Sequence, residues 1–227
     1  PLTGAAIRCT FAAVAFWIIG WFMPKEQSTP KEKILLLLLG ALGLYGFMFL
    51  YLIGLSKTTP VSSSIFTSLE PIWVFVIMIV KKIVGMAIGL VGALVCILTQ
   101  KSDDLASDAF TGNMLCLLSS VAYAIYLVMS QRILANVGAM TMLRYTFTGA
   151  AITGLIVTAI TGFDAPVLTI PIHWQPFLIL MFVLIFPTTV SYLLIPIGLK
   201  YLKTTVVAIY GYLILIVATI TSLAIGQ

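Results

Sequence analysis

Eight apolar runs, each about as long as a membrane-spanning helix, follow one another along this chain of 227 residues. A helix that crosses the hydrocarbon core of a bilayer needs about 20 mostly apolar residues. Only 8% of the residues are charged, against about 25% in an ordinary soluble domain. We therefore predict an all-α integral membrane protein with spans over Leu2–Met23, Ile34–Ile53, Val61–Val80, Ile83–Leu98, Phe110–Ser130, Ala139–Gly162, Pro176–Gly198 and Thr205–Gln227.

The basic residues divide unequally between the two sides of the predicted membrane. Cytoplasmic loops of membrane proteins carry an excess of Lys and Arg. If the segment between the first two spans is cytoplasmic, nine basic residues fall inside and three outside, which predicts this orientation. The inside set is Lys25, Lys31, Lys33, Lys81, Lys82, Arg132, Arg144, Lys200 and Lys203, and the outside set is Arg8, Lys57 and Lys101. Because these residues are scattered between apolar runs, the expected surroundings are a lipid bilayer and not nucleic acid.

Two short stretches recur in the second half of the chain, in the same order. IRCTFAAVAF (Ile7–Phe16) is similar to LRYTFTGAAI (Leu143–Ile152), and IGLSKTTPVSSSIF (Ile53–Phe66) aligns without gaps on IGLKYLKTTVVAIY (Ile197–Tyr210). In the predicted orientation, each first copy enters its span from outside and each second copy enters from inside. This pattern predicts two inverted-topology repeats of transmembrane helices, the architecture of many secondary transporters.

The two predicted repeats divide the chain into three parts. Residues 1–100 form the first repeat, with four predicted spans. Residues 101–109 form a connecting loop outside the cytoplasm, and residues 110–227 form the second repeat, also with four spans.

Four segments of the chain resemble the EamA-type transporters of the drug/metabolite transporter superfamily. They are RCTFAAVAFWI in the first span, GLSKTTPVSSSIFTSLEPIWVFV in the third, GMAIGLVGALVCIL in the fourth and GNMLCLLSSVAYAIY in the fifth. The resemblance covers nearly the whole chain and implies ten helices in two inverted sets of five. It also implies that the first and last helices, and part of a loop near Val80–Lys81, are absent from this sequence. Leu215 stands where the family often has proline, so we expect any coupling site in the first half.

The resemblance implies a secondary-active transporter in the cell membrane, specifically a multi-pass protein of a bacterial inner membrane. It would export a small organic metabolite, such as an amino acid, by alternating access, with proton coupling as an option. The substrate would bind near the membrane midplane between the two halves. One alternative is an exchanger of phosphorylated sugars or nucleotide-sugars, although Lys57, Lys200 and Lys203 lie at loop edges rather than deep in a span. The other alternative is a membrane scaffold or sensor that transports nothing.

One carboxylate, Glu70, lies inside the third predicted span and is followed directly by Pro71. An unpaired charge at the centre of a bilayer costs about 2.5 kcal/mol or more, and proline removes a helical hydrogen bond and can kink the helix. Helical spacing places Ser63 and Thr67 on the face of Glu70, with Trp73 beside it. We interpret this group as a substrate-binding or proton-coupling site. A structural carboxylate bonded to a neighbouring helix is the alternative, and the sequence leaves both open.

A second candidate group consists of hydroxyl and aromatic side chains on several predicted spans. Such side chains in a central cavity could bind a small metabolite by stacking and hydrogen bonding. Helix packing and interfacial anchoring are the alternatives for each member. The set is Tyr45, Ser119, Tyr123, Tyr126, Ser130, Thr188, Tyr192 and Tyr210.

Arg8 and Arg144 occupy equivalent positions of the two repeats, near span ends. The sequence slightly favours contact of these arginines with lipid headgroups over a role in a gate or in substrate binding. Gly85, Gly89 and Gly92 form a seam of small residues that favours close helix packing. Both a monomer and a homodimer remain compatible with that seam.

The motifs of several enzyme classes are not found in this sequence. It has one histidine, His173, no Gly-rich phosphate loop and no Gly-x-Ser-x-Gly motif. Cys9, Cys96 and Cys116 lie in apolar runs without the spacing of metal ligands. We therefore expect no catalytic residues, no metal site and no cofactor.

Overall fold

The computed structural model describes residues 2–24, 26, 28–78, 109–162, 174–210, 217 and 220. These residues form eight principal helices and no strand, so the predicted all-α fold is confirmed. The helices are α1 (Leu2–Trp21), α2 (Pro30–Leu55), α3 (Pro60–Thr67), α4 (Glu70–Met78), α5 (Ala109–Leu134), α6 (Ala139–Thr161), α7 (Trp174–Tyr201) and α8 (Thr204–Ile209). Two of them contain a π-helical turn, at Leu39–Leu44 in α2 and at Leu184–Val190 in α7.

Five helices are long and apolar enough to cross a membrane, namely α1, α2, α5, α6 and α7. The shorter apolar helices α3 and α4 cover most of the third predicted span. Large apolar side chains remain exposed on the long helices, including Leu42 at 75% and Ile160 at 80%. An apolar surface of this kind suits contact with lipid tails.

Several sequence predictions concern residues outside the described part of the chain. They are the span Ile83–Leu98 with Gly85, Gly89 and Gly92, the loop near Val80–Lys81, most of the loop at 101–109, the residues Cys96, His173 and Leu215, and most of the last span after Tyr210.

Two helices begin at a Thr-Pro pair, and the reason is local. Thr29 and Glu32 form a capping box at the start of α2: the Thr29 amide donates to the Glu32 carboxylate at 2.8 Å, and the Glu32 amide donates to the Thr29 hydroxyl at 3.3 Å. At the start of α3, the Thr59 hydroxyl accepts from the Ser62 amide at 3.3 Å. In both helices proline occupies the first turn, where its missing N–H costs nothing.

Two irregular features recur along the chain at nearly the same separation as the matched sequence stretches. The residues that cap α3 and α8, Thr59 and Lys203, lie 144 positions apart. The matched residues Ile53 and Ile197 have the same separation. The two π-helical turns begin 145 positions apart, at Leu39 and Leu184. This spacing is the one that the predicted repeats would produce.

One compact unit comprises residues 1–45 and 129–201. Within it α1 packs along α6, and the Phe16 ring meets the Phe147 ring edge-to-face at 5.1 Å. Phe147 also contacts the ring of Tyr192 on α7 at 5.0 Å. Aromatic pairs in this geometry add about 0.5–1.5 kcal/mol beyond their burial, so Phe147 holds three helices of the unit together.

Glycines bring α2 and α6 into backbone contact within the same unit. A Cβ atom at Gly40 of α2 would overlap the carbonyl oxygen of Thr146, and one at Gly149 of α6 would overlap the carbonyl oxygen of Leu37. Each helix therefore presents a glycine to a carbonyl of the other. Small residues allow this close approach of helices in membranes.

The second compact unit comprises residues 46–128 and 202–227. Here the end of α2 meets the start of α5, where a Cβ atom at Gly54 or Gly112 would lie 2.9 Å from the carbonyl oxygen of the other. The Thr58 hydroxyl beside this contact donates to Asn113 Oδ1 at 2.6 Å, and both residues are buried. In this unit α4 also packs against α8.

Candidate functional site

The third predicted span is interrupted directly before Glu70. Helix α3 ends at Thr67, Ser68 and Leu69 form a turn, and α4 begins at Glu70. Two backbone hydrogen bonds at the turn span three residues instead of the four of an α-helix. The Leu69 amide donates to the Phe66 carbonyl at 3.3 Å, and the Ile72 amide donates to the Leu69 carbonyl at 3.0 Å. Because Pro71 has no N–H, it cannot continue the regular helical ladder through this point. The carboxylate therefore lies at a break between two short apolar helices.

The hydroxyl groups next to the break bond to their own helix. The Thr67 hydroxyl donates to the carbonyls of Ser63 and Ser64, at 3.0 and 3.1 Å. The Ser68 hydroxyl donates to the carbonyl of Ile65 at 2.7 Å. These bonds occupy the hydroxyl protons, so Thr67 and Ser68 offer lone pairs rather than donors to any further partner. Ser63 itself is buried.

Glu70 is half-buried, and the described residues provide it with neither a hydrogen bond nor an ion pair. It occupies the first turn of α4, where the unpaired N–H groups and the helix dipole favour a negative charge by about 0.3–1 kcal/mol. Partial exposure and this position reduce the cost of the charge. They do not replace a partner, and none is found among the residues that the structure describes.

Trp73, one turn further along α4, is buried and faces α5. Its indole N–H has no hydrogen-bond partner in the described structure. The ring lines a cavity of about 310 Å³ whose other lining residues are all on α5, namely Thr111, Met114, Leu115, Leu117, Leu118 and Val121. Apart from Thr111, the lining residues are apolar, so the cavity suits an apolar group.

The hydroxyl and aromatic set divides between the two compact units. In the second unit, the Tyr123 ring lies 4.5 Å from Phe47 and 5.8 Å from the buried Tyr126, and the buried Ser119 hydroxyl donates to the Cys116 carbonyl at 2.7 Å. Tyr210, at the end of α8, is 61% exposed.

The first unit holds the other members of this set. Tyr45, Thr188 and Tyr192 are buried there, and so is Ser130, whose hydroxyl lacks a partner among the described residues. The structure thus brings Tyr123 and Tyr126 together, and it does not assemble the whole set within either unit.

Arg8 and Arg144, which the sequence aligns with each other, have different surroundings. Arg8 Nε donates to the Thr188 hydroxyl oxygen at 3.0 Å. The Arg144 guanidinium lies 5.3 Å from the Trp17 ring, its Nε is 3.4 Å from the Phe16 carbonyl, and Gly20 leaves room for it. Arg144 therefore packs on the last turns of α1, where a cation suits the helix C-terminus.

Sequence reasoning missed two features of the first unit. Glu26, in the loop before α2, accepts a 2.7 Å hydrogen bond from the Thr141 amide and so caps α6 from outside. The sequence signal for such a cap is Gly138, the N-cap residue of α6. It has no side chain to cap the helix, so another residue has to supply the acceptor. The π-helical turn of α7 was also missed, although Pro187 followed by two threonines marks the place.

Comparisons with known proteins agree with this architecture. The EamA-like transporter family matches residues 1–98 and 110–227. The chain is 24% identical over 238 residues to the uncharacterized transporter YyaM of Bacillus subtilis (strain 168), and the match covers 100% of this chain and 77% of that protein. A solved crystal structure of another protein shares the fold, with a TM-score of 0.70 at 17% identity over 100% of this chain and 79% of the other. The chain therefore belongs to the EamA-like transporter family and is a multi-pass membrane transporter.

Proposed function

We propose that this protein is a secondary-active exporter of a small organic metabolite, such as an amino acid, across the bacterial cell membrane. Protons entering the cell drive the export by binding to and leaving Glu70. The observation that supports this proposal is the position of Glu70, a carboxylate without a partner in the described structure, at a helix break within an apolar segment. Ionisable residues inside membranes are rare and mark proton relays and substrate pathways, and many transporters form their sites at discontinuous helices.

The coupling follows from the cost of the charge. In a conformation that opens Glu70 to water, the carboxylate is stable with or without a proton. In a conformation that closes around it, the charged form costs several kcal/mol, on the order of 2.5–3.5 at the centre of a helix, whereas the protonated form does not. The transition to the closed conformation is therefore favoured when Glu70 carries a proton. The difference in free energy between the charged and the protonated carboxylate sets how strongly the protonated form is favoured in that transition.

The other members of the site would receive the metabolite. Trp73 offers an aromatic ring beside the cavity next to α5. Tyr123 and Tyr126 form a stacked pair in the same unit. Rings of this type bind small metabolites by stacking while a polar atom sets the orientation.

The alternative of a phosphorylated-sugar exchanger receives no support from the lysines. Lys57 lies in the turn after α2, Lys200 in the last turn of α7, and Lys203 directly before α8. All three are at helix ends, where an ammonium group meets solvent or headgroups.

The test uses purified protein in lipid vesicles that contain a pH-sensitive dye. The twenty amino acids, radiolabelled, are offered with and without a pH gradient, and uptake and proton movement are measured together. The wild type should accumulate at least one of them against its gradient when protons drive it. The Glu70→Gln variant should still exchange substrate down its gradient and should lose the response to pH.

A matched control is Glu32→Gln, because glutamine at this position preserves the capping box of α2. It removes one carboxylate outside the break and should leave both activities unchanged. If Glu70→Gln is produced normally and still accumulates substrate when driven by protons, the coupling role is wrong. If it instead lowers only the amount of folded protein, with the pH response of the remainder intact, Glu70 is a structural residue.

A further inference from the structure

We infer that Arg8 binds the carboxylate of the transported solute at mid-membrane depth, with Thr188 positioning its guanidinium. This inference rests on the proposed transport function and assigns the substrate class. The supporting contact is the 3.0 Å hydrogen bond from Arg8 Nε to the Thr188 hydroxyl oxygen, which joins α1 to the π-helical turn of α7. Both residues belong to the same compact unit.

The depth of the contact follows from the length of α7. Thr188 lies 14 residues after the first residue of this helix, Trp174, and 13 residues before the last, Tyr201. At a rise of 1.5 Å per residue, it is about 20 Å from either end. The Arg8 side chain therefore extends toward the middle of a membrane-spanning helix, a depth that does not favour contact with lipid headgroups.

Among the described residues of its own unit, no acid is placed to balance the charge of Arg8. The two acidic residues described there are Glu26, which caps α6, and Glu32, which caps α2. No ion pair to Arg8, and no other hydrogen bond from it, is found among the residues that the structure describes. A guanidinium has five N–H donors, so about four remain for another partner. A charge at this depth calls for an anion.

The Thr188 hydroxyl is fixed so that it can only accept from Arg8. Thr188 is fully buried, and its O–H donates to the Val183 carbonyl five residues earlier, at 2.9 Å. Thr189 and Ser191 make the same i−5 contact with Leu184 and Phe186, at 2.9 and 3.2 Å. These bonds accompany the π-helical geometry, a form that is frequent at functional sites. They leave the Thr188 lone pair directed to Nε and the remaining donors of Arg8 available.

The chemistry of the remaining donors indicates the ligand. The planar fork of a guanidinium matches the two oxygens of a carboxylate. One positive charge balances one carboxylate, whereas a phosphate monoester would call for a second cation. Arg144, the other arginine described near α1 in this unit, already packs on the Phe16 carbonyl and the Trp17 ring. The site is therefore suited to amino acids and other small carboxylates.

The first experiment needs no variant. Thermal unfolding of the detergent-solubilised wild type is measured with amino acids, with the corresponding amino acid amides and with hexose phosphates. We expect stabilisation by at least one amino acid, several-fold weaker binding of its amide, and no gain from the phosphates. Equal binding of acid and amide would overturn the inference, and tighter binding of the phosphates would assign the site to a phosphorylated solute instead. Because this readout measures binding, it is independent of whether proton-driven flux is observed in vesicles.

The second experiment compares three variants by substrate exchange in vesicles. Arg8→Gln should raise the half-saturating concentration of the amino acid at least tenfold, while the response to pH through Glu70 remains. Arg8→Lys keeps the positive charge but lacks the planar fork of donors of a guanidinium, so it should raise the half-saturating concentration less than Arg8→Gln does. Thr188→Val removes the acceptor for Nε and should raise the half-saturating concentration without loss of the maximal rate. If Arg8→Gln folds and keeps the wild-type value, Arg8 is not a ligand. If it does not fold, Arg8→Lys with a wild-type value overturns the binding of the carboxylate by the guanidinium fork.

Discussion

Replacing Gly149 by alanine tests the reasoning about helix contacts most directly. Gly149 lies on α6 against the carbonyl oxygen of Leu37, and Gly40 lies on α2 against the carbonyl oxygen of Thr146. A methyl group at Gly149 would overlap a backbone atom, which has no rotamer to change. The two helices would have to separate by about an ångström to restore an ordinary contact, and the reciprocal contact at Gly40 would be lost with the first.

Two opposing terms set the expected size of the effect. Overpacking a close contact typically costs about 1–3 kcal/mol. Alanine is favoured over glycine inside a helix by about 1 kcal/mol, which offsets part of that cost. We therefore expect Gly149→Ala to lower the free energy of unfolding by up to about 2 kcal/mol, the cost of overpacking less this helix preference, and to be about 1–3 kcal/mol less stable than a Gly→Ala variant in open space.

The assay is denaturant unfolding of the purified protein in mild detergent, followed by the fluorescence of its four tryptophans. Gly4→Ala and Gly46→Ala are matched controls, because a Cβ atom at either position has no heavy atom within 4 Å. Both should be neutral or slightly stabilising, since only the helix preference changes. Gly149→Ala with the stability of these controls would refute the proposed backbone contact between α2 and α6.

Two further predictions concern the loops. Glu26→Ala removes the acceptor of the Thr141 amide and should lower the free energy of unfolding by about 1 kcal/mol, the usual effect of losing an N-terminal cap. The same unfolding assay measures this change, and an unchanged midpoint would contradict the capping role of Glu26. In a cysteine-free background, Ser28→Cys and Asn136→Cys should react with an impermeant thiol reagent from one side of the membrane and Ser56→Cys from the other, because Ser28 and Ser56 flank opposite ends of α2. Labelling of Ser28→Cys and Ser56→Cys from the same side would contradict the path of α2 through the membrane.

Much of this fold could be predicted from local sequence. The helical class and most of the described spans follow from the length of the apolar runs, since a bilayer admits few alternatives to a helix of about 20 residues. The starts of α2 and α3 follow from Thr-Pro pairs, which cap and begin a helix without any distant partner. Glu70 could be singled out as a candidate because a carboxylate inside an apolar run is rare in itself.

Only the tertiary structure shows which helix faces pack together and which hydrogen-bond partners the polar groups have. Arg8 donates a hydrogen bond to Thr188, which lies 180 residues later in the chain. Glu26 caps α6 by accepting from the amide of Thr141, which lies 115 residues later. The sequence could align Arg8 with Arg144, but it could not show that Arg8 extends to mid-helix and that Arg144 packs on the end of α1. The physical reason is the solvent: lipid tails are as apolar as leucine, so hydropathy shows that a helix is in the membrane without showing which face is packed. Those faces are set by glycine contacts and hydrogen bonds between helices, which exist only once the helices are assembled.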